Sequence, residues 1–272
     1  MHPRTILVTG ATDGIGLETA TALAKKGHRV ILHGRRPERL AEVHAQLSAT
    51  APGPLPTPVV ADLSSLAAVR QMAKTLTAAH PHIDVLLHNA GVYAQALTRS
   101  ADGHELTVAV NHLAPYVLTH GLLESLKAAP AGRVITVSSV AHGRGEIDFE
   151  RLKQRALPSQ FNGYALYAES KLMNVLFANE LARRLAGTRV TSNSLHPGVV
   201  STKLLKEGFG MNGPDSHEDG AATSVFLATD DSVAGVTGAY FVKRRAVAPS
   251  HTALDLDKAR RLWELSDEVT RA

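Results

Sequence analysis

Short apolar runs and helical periods alternate from one end of the chain to the other. Strand-like runs fall at 5–9, 29–33, 58–61, 85–88, 133–138, 189–195 and 239–242. They do not alternate apolar with polar residues, which is the pattern of strands buried on both faces. Between them, apolar residues recur at helical spacing over about 15–26, 37–48, 64–79, 104–128, 164–186 and 217–229. A last stripe, Leu254, Leu262, Leu265 and Val269 with Trp263 beside it, predicts a terminal helix over 254–269 packed on the body. Ser64 and Ser65 supply a helix start, and Pro130 a stop. This rhythm predicts an α/β fold, a doubly wound parallel sheet in three α/β/α layers, as a single domain over 1–272. Two segments break it. Residues 49–57 are a Pro-rich connection, and residues 198–216 carry glycines and no clear period. An irregular segment of that length suits a functional loop, so it is read as a lid over the substrate.

Composition narrows the chemistry. Apolar residues make up 44% and aromatic ones 4%, so the core must be filled by aliphatic side chains. The absence of cysteine excludes disulfides and thiolate chemistry. Net charge is +4, but the basic residues sit in pairs at 35–36, 183–184 and 260–261 and one triplet, Lys243-Arg244-Arg245. Nothing resembles an aromatic-interleaved basic platform, so no nucleic-acid partner is expected. No run of about 18 apolar residues exists to span a membrane. Met1-His2-Pro3-Arg4 leads straight into the first strand and leaves no room for a signal peptide, so a cytoplasmic location is expected. The fourteen histidines lack ligand spacing with a carboxylate, and no metal site is expected.

The first strand ends in Thr9-Gly10-Ala11-Thr12-Asp13-Gly14-Ile15-Gly16 and a helix opens there. Gly10 permits a tight turn, Gly14 a close backbone approach to a pyrophosphate, and Gly16 close packing of helix on strand. An anion then meets free N–H groups at the positive end of a helix. With its strand before it and its helix after it, this reads as the dinucleotide-binding turn of a Rossmann-type domain. The second strand ends in His33-Gly34-Arg35-Arg36, with no acid to hold a ribose hydroxyl. Arg35, with Arg36 beside it, suits a 2′-phosphate, because guanidinium pairs with phosphate bidentately. NADP(H) is therefore expected over NAD(H), although the charge of Asp13 has the wrong sign for a phosphate neighbour.

These residues resemble the short-chain dehydrogenase/reductase superfamily. The resemblance extends to Asp62-Leu63, similar to the pair that contacts adenine, and to Asn89-Ala90-Gly91, with His88 where the family's signature has a first Asn. It continues through Asn111, Ser139 in Ser138-Ser139-Val140-Ala141, Tyr167-Ala168-Glu169-Ser170-Lys171, and Pro197-Gly198 followed by Val200 and Thr202. All occur in order over nearly the whole chain. Within the superfamily, Ala61-Asp62-Leu63-Ser64-Ser65-Leu66, the run from Val137 to His142, and Leu262-Trp263-Glu264-Leu265-Ser266 resemble the retinol-dehydrogenase-like group, as does the long stretch between Ser139 and Tyr167.

The resemblance implies an oxidoreductase that moves hydride between nicotinamide and a carbonyl or alcohol carbon of a lipophilic small molecule. Tyr167 and Lys171, four apart on one helix face, would be the proton donor and the ammonium that lowers its pKa by about 2 to 3 units. Lys171 would also hold the nicotinamide ribose. Ser139, preferred over Ser138, would bond the developing alkoxide, and Asn111 would hold a relay water. His142 fits either the substrate mouth or a structural role. Leu204, Leu205, Phe209 and Met211 are the lid's apolar contribution, with Gly208, Gly210 and Gly213 softening its backbone. Members often associate, so a homo-oligomer is among the expectations. The alternative is a non-catalytic NADP-binding regulator, which the complete tyrosine, lysine and serine set disfavours.

Overall fold

The structure is a computed structural model that describes residues 3–271; Met1 and His2 of the N-terminal reading lie outside the described residues. The strands are β1 (Thr5–Val8), β2 (Arg29–Gly34), β3 (Thr57–Val60), β4 (Val85–His88), β5 (Arg133–Val137), β6 (Thr191–His196), β7 (Tyr240–Val242) and β8 (Arg245–Val247). They form one sheet in the order β3-β2-β1-β4-β5-β6-β7-β8. Neighbours from β3 to β7 are parallel, and β8 returns antiparallel on β7. The helices are α1 (Gly14–Lys25), α2 (Pro37–Thr50), α3 (Leu66–Ala79), α4 (Leu106–Val108), α5 (Ala114–Ala128), α6 (Phe149–Lys153), α7 (Gly163–Arg184), α8 (His217–Thr229) and α9 (Leu256–Thr270). Among the described residues no helix is long and apolar enough to cross a membrane.

Helices cover both faces of the sheet, and β1 shows why its residues are apolar without alternation. Ile6 and Val8 pack with Leu23 of α1, Val43 of α2 and Leu227 of α8. Leu7 faces the other way, toward Met72 of α3, Val117 of α5, Val175 of α7 and Leu265 of α9. Each such side chain, fully buried, contributes about 1.5 to 3 kcal/mol. The long α7 lies between the sheet and α9, so it is buried almost throughout from Gly163 to Ala182. Trp263 of α9 stacks on its Phe177, with ring centroids 5.9 Å apart.

Three expectations need correction. Strand β3 alternates half-buried and exposed residues, and Val60 is 50% exposed. It is the edge strand, so it is not covered on both faces. The helix expected over 104–128 is interrupted by a wide π-type turn, Ala109–Leu113, between α4 and α5. The sequence reading also lacks β8. Its hairpin turns at Lys243 and Arg244, with φ of 48° and 64°, a conformation usually signalled by Asn or Gly.

From β1 the chain builds outward through β2 to β3, then crosses back to β4 on the other side of β1. The order reverses there, and a crevice opens beyond the carboxyl ends of β1 and β4.

Candidate active site

The glycine turn lies at that crevice. Gly10 and Gly14 have φ of 66° and 52°, which L side chains seldom adopt. A Cβ on Gly16 would overlap the Gly10 carbonyl and the Asn89 amide. Asp13 caps α1: its carboxylate accepts the Gly14 N–H at 2.8 Å. Among the described residues no acceptor takes the N–H of Thr12, Asp13, Ile15 or Gly16. Free donors at a helix start form an anion cradle that suits a pyrophosphate.

Around the cradle the other expected residues divide into holders and liners. Asn89 donates to the Thr9 carbonyl at 2.9 Å, and Ala90 packs on Gly10, so both brace the turn. Asp62 closes a local turn by accepting the Ser64 N–H at 2.9 Å, and Leu63 beside it is buried. Gly198 has φ of 103°, and the Asp215 carboxylate accepts the Val199 N–H at 2.7 Å beneath it. This folds the segment after Pro197 back across the crevice. Val200 then shares Gly220 as a neighbour with Ile15, and Thr202 lies against Gly14. The two halves of the expected nucleotide site meet.

Arg35 and Arg36 are exposed at the rim, and neither forms an ion pair among the described residues. Sequence reasoning missed Arg39, one turn into α2. Its guanidinium donates to the Thr12 carbonyl at 3.3 Å and pairs with Glu42 at 2.8 Å. Spacing could have found it, since Arg35, Arg36 and Arg39 surround the start of one helix.

On the other side of the crevice, α7 presents Tyr167 and Lys171, both buried. The Lys171 ammonium donates to the Val137 carbonyl at 3.0 Å and lies 5.5 Å from the Tyr167 ring centroid. Gly91 leaves a gap in which a Cβ would stand 3.4 Å from Lys171 Nζ and 3.5 Å from Asn111 Oδ1. Ser139 is half-buried at the end of β5, where its hydroxyl accepts the Ala141 N–H at 3.2 Å and acts on the nearby Tyr167 phenol. Ser138 is buried and donates instead to the Lys171 carbonyl at 2.7 Å. It therefore braces α7 and leaves the pocket to Ser139. His142 also becomes structural: Nδ1 meets the Ser139 carbonyl at 2.6 Å, and Nε2 accepts the Ser250 N–H at 3.0 Å.

Asn111 sits in the π-type turn. Its side chain accepts the Val92 N–H at 2.8 Å and donates to the Val92 carbonyl and Ser170 Oγ, each at 3.0 Å. The amide is thus engaged with protein. Its own carbonyl lacks the usual i+4 donor, because residue 115 is proline.

The expected lowering of the Tyr167 pKa is not found. Burial pushes the phenol up to about 12, and the neighbouring Ser139 hydroxyl opposes this only in part. The cause is the packing around the ring. Phe209 and Tyr93 pack on the Tyr167 ring at 5.4 and 5.7 Å, and Leu204 joins them. Burial also lowers Lys171 to about 8, which weakens the ammonium that was to stabilise phenolate. Sequence spacing places the pair but carries no information on its desolvation.

The segment expected to be a lid is only partly soft. Its base is pinned, with Ser201 Oγ bonded to the Gly213 N–H at 2.8 Å and the Asp215 N–H donating to the Val199 carbonyl at 3.2 Å. A Cβ on Gly213 would overlap the Val199 carbonyl, and one on Gly208 would press on Tyr93. Only Gly210, with φ of 63° and open space around it, has the freedom expected of all three. Met211 is exposed, while Leu204 and Phe209 face the tyrosine.

The short chain dehydrogenase family model matches residues 4–150, more than half of the chain. This chain belongs to the short-chain dehydrogenase family. Its relatives carry the likeness through Tyr167 and Lys171 to the C-terminal helix. Retinol dehydrogenase 14 of Mus musculus is 39% identical over 98% of this chain and 86% of its own length. Dehydrogenase/reductase SDR family member 13 of Bos taurus is 39% identical over 99% and 74%. An uncharacterized protein of Mycobacterium paratuberculosis has a solved structure that matches with a TM-score of 0.82 at 30% identity, over 99% of this chain and 94% of that one. A short chain dehydrogenase of Escherichia coli complexed with NADPH matches at 0.74 and 28%, over 90% and 98%. The dehydrogenase is thus an oxidoreductase of the retinol-dehydrogenase-like group, acting on CH–OH or C=O groups with a nicotinamide cofactor.

The lid contacts yield a prediction for this dehydrogenase. Phe209→Ala removes an aromatic contact of about 1 kcal/mol from the half-buried lid, so substrate KM rises about fivefold while melting temperature stays nearly constant. Trypsin should cut the free protein first after Lys206, and nicotinamide nucleotide with substrate should slow the cut. A sharp fall in melting temperature with no protection would show that the segment is core.

Proposed function

We propose that the dehydrogenase reduces, or in reverse oxidises, a carbonyl or alcohol carbon of a lipophilic small molecule, with NADP(H) preferred over NAD(H). The observation that carries this reading is the convergence of the Tyr167 phenol, the Ser139 hydroxyl and the Lys171 ammonium at the carboxyl edge of the sheet, under an apolar lid. Of the chain's five Tyr and six Phe, Tyr93, Phe161, Tyr164, Tyr167 and Phe209 gather at this one place. So dense an aromatic lining favours an apolar substrate. The relatives named retinol dehydrogenase and the neighbours complexed with NADP and NADPH support both halves of the reading.

When bound, the nicotinamide nucleotide supplies or accepts the hydride. The turn from Gly10 to Gly16 would hold its pyrophosphate, Asp62-Leu63 its adenine, Arg35 with Arg36 its 2′-phosphate, and Val200 with Thr202 its nicotinamide end. Tyr167 holds the proton. Its phenol is neutral at pH 7, the state a donor needs, and Ser139 orients the oxygen that receives the proton. Lys171 places its ammonium behind the phenol, and a water on the Asn111 carbonyl would resupply protons to it. Phe209 and Tyr93 exclude other water from the reacting oxygen.

The test is a panel of ketones, aldehydes and alcohols assayed with both cofactors. Arg35→Ala should weaken NADPH binding about tenfold or more, as loss of a charge-assisted contact of about 1.5 to 3 kcal/mol requires, and leave NADH binding unchanged. Equal or tighter NADH binding by the parent would refute the cofactor assignment. A chain that binds NADPH and turns over nothing in the panel would instead be the binding-only regulator.

A further inference from the structure

His33 is the residue before last in β2, and it is 3% exposed. Its ring lies between the two halves of the nucleotide-binding edge. Nδ1 accepts the Gly10 N–H at 3.1 Å and so carries no proton. Nε2 must hold the proton, and it donates to the Ala61 carbonyl at 3.1 Å. The backbone carbonyl of the same residue takes the Ala11 N–H at 2.9 Å. Burial holds the imidazole below its usual pKa, so the ring is neutral at pH 7.

Two consequences follow for the cradle. The first two donors of the glycine turn are committed to residue 33, which leaves Thr12, Asp13, Ile15 and Gly16 to face an anion. The same ring ties that turn to the residue preceding Asp62. We propose that His33 is a positioning residue for the nucleotide: it holds the phosphate turn in register with the Ala61-Asp62 edge, so that one dinucleotide meets both. Removing the ring leaves a part-buried Gly10 N–H and a buried Ala61 carbonyl without this partner and frees the two edges to drift. The proposal rests on the reading that the chain binds nicotinamide nucleotide.

Three substitutions separate positioning from general support. Asn at residue 33 can place Oδ1 where Nδ1 lies and keep the Gly10 bond. Gln can reach the Ala61 carbonyl and loses the Gly10 bond. NADPH affinity is measured by calorimetry on the full chain, together with kcat at saturating cofactor. His33→Ala and His33→Gln should bind NADPH about 10- to 100-fold more weakly. Their kcat should stay within about threefold of the parent, and His33→Asn should recover most of the affinity. Unchanged affinity in His33→Gln would overturn the proposal. So would a kcat that falls in step with affinity, or a His33→Asn variant that regains melting temperature without regaining affinity. If His33→Ala does not fold, the Asn and Gln pair carries the comparison. A parent that binds neither NADPH nor NADH overturns the underlying reading, and is distinguished by failing before any variant is made.

Discussion

Tyr167→Phe should lose turnover by about 10²- to 10⁴-fold, the usual worth of a positioned proton donor, while nicotinamide nucleotide affinity stays within about threefold of the parent. The ring is retained, so the packing of Phe209 and Tyr93 on it survives and the lid keeps its contact. Only the hydroxyl leaves, the group on which Ser139 acts. The loss must appear in kcat at saturating cofactor and substrate, because the missing proton transfer belongs to the chemical step. Activity within tenfold of the parent would remove Tyr167 as the acid.

Lys171→Met should lose activity and gain stability. The ammonium is buried, and its pKa falls from 10.5 to about 8, so burying it in charged form costs about 3 kcal/mol at pH 7. Below pH 8 both folded and unfolded chains carry this proton, and the penalty is complete. Between about 8 and 10.5 the folded chain has released the proton while the unfolded chain still holds it, so stability climbs with pH. The Tyr167 phenol, raised from 10.0 to about 12, begins to act in the opposite sense only above pH 10. Methionine fills similar volume without charge, and Asn174 still donates to the Val137 carbonyl that Lys171 abandons. The variant should therefore be more stable at pH 7, and should lack the part of the parent's rise between pH 8 and 10 that Lys171 supplies. An equal rise in both proteins would show that burial does not lower the Lys171 pKa and that the ammonium keeps its proton in the folded chain. Nicotinamide nucleotide affinity should fall as well, as expected if Lys171 holds the ribose.

What could be read in the sequence was local. Strands β1, β2, β4, β5 and β7 announce themselves as apolar runs and β6 as a strand-like stretch, and the observed bounds lie within two residues of the expected ones. The glycine turn is legible because backbone strain and close approach at Gly10, Gly14 and Gly16 leave few substitutes for glycine. Tyr167 and Lys171 are legible because a spacing of four on a helix places both on one face. Arg35 stands out where an acid would be expected. Each of these signals needs only a few neighbouring residues.

The tertiary structure decided what depends on partners distant in sequence. Ser138 and Ser139 are adjacent and chemically alike. Only the approach of α7 turns one toward the Lys171 carbonyl and leaves the other for the phenol. His33 resembles any buried strand residue until Gly10 and Ala61, just beyond the ends of β1 and β3, close on its ring. The state of Tyr167 is set by burial, to which Phe209 and Tyr93 contribute from two different loops, and which outweighs the lowering effect of Ser139. Periodicity and turn chemistry are properties of short stretches, so the sequence alone determines the framework and the identity of the reacting groups. Desolvation and hydrogen-bond partnership belong to the packed arrangement, and only the fold determines how those groups hold their protons.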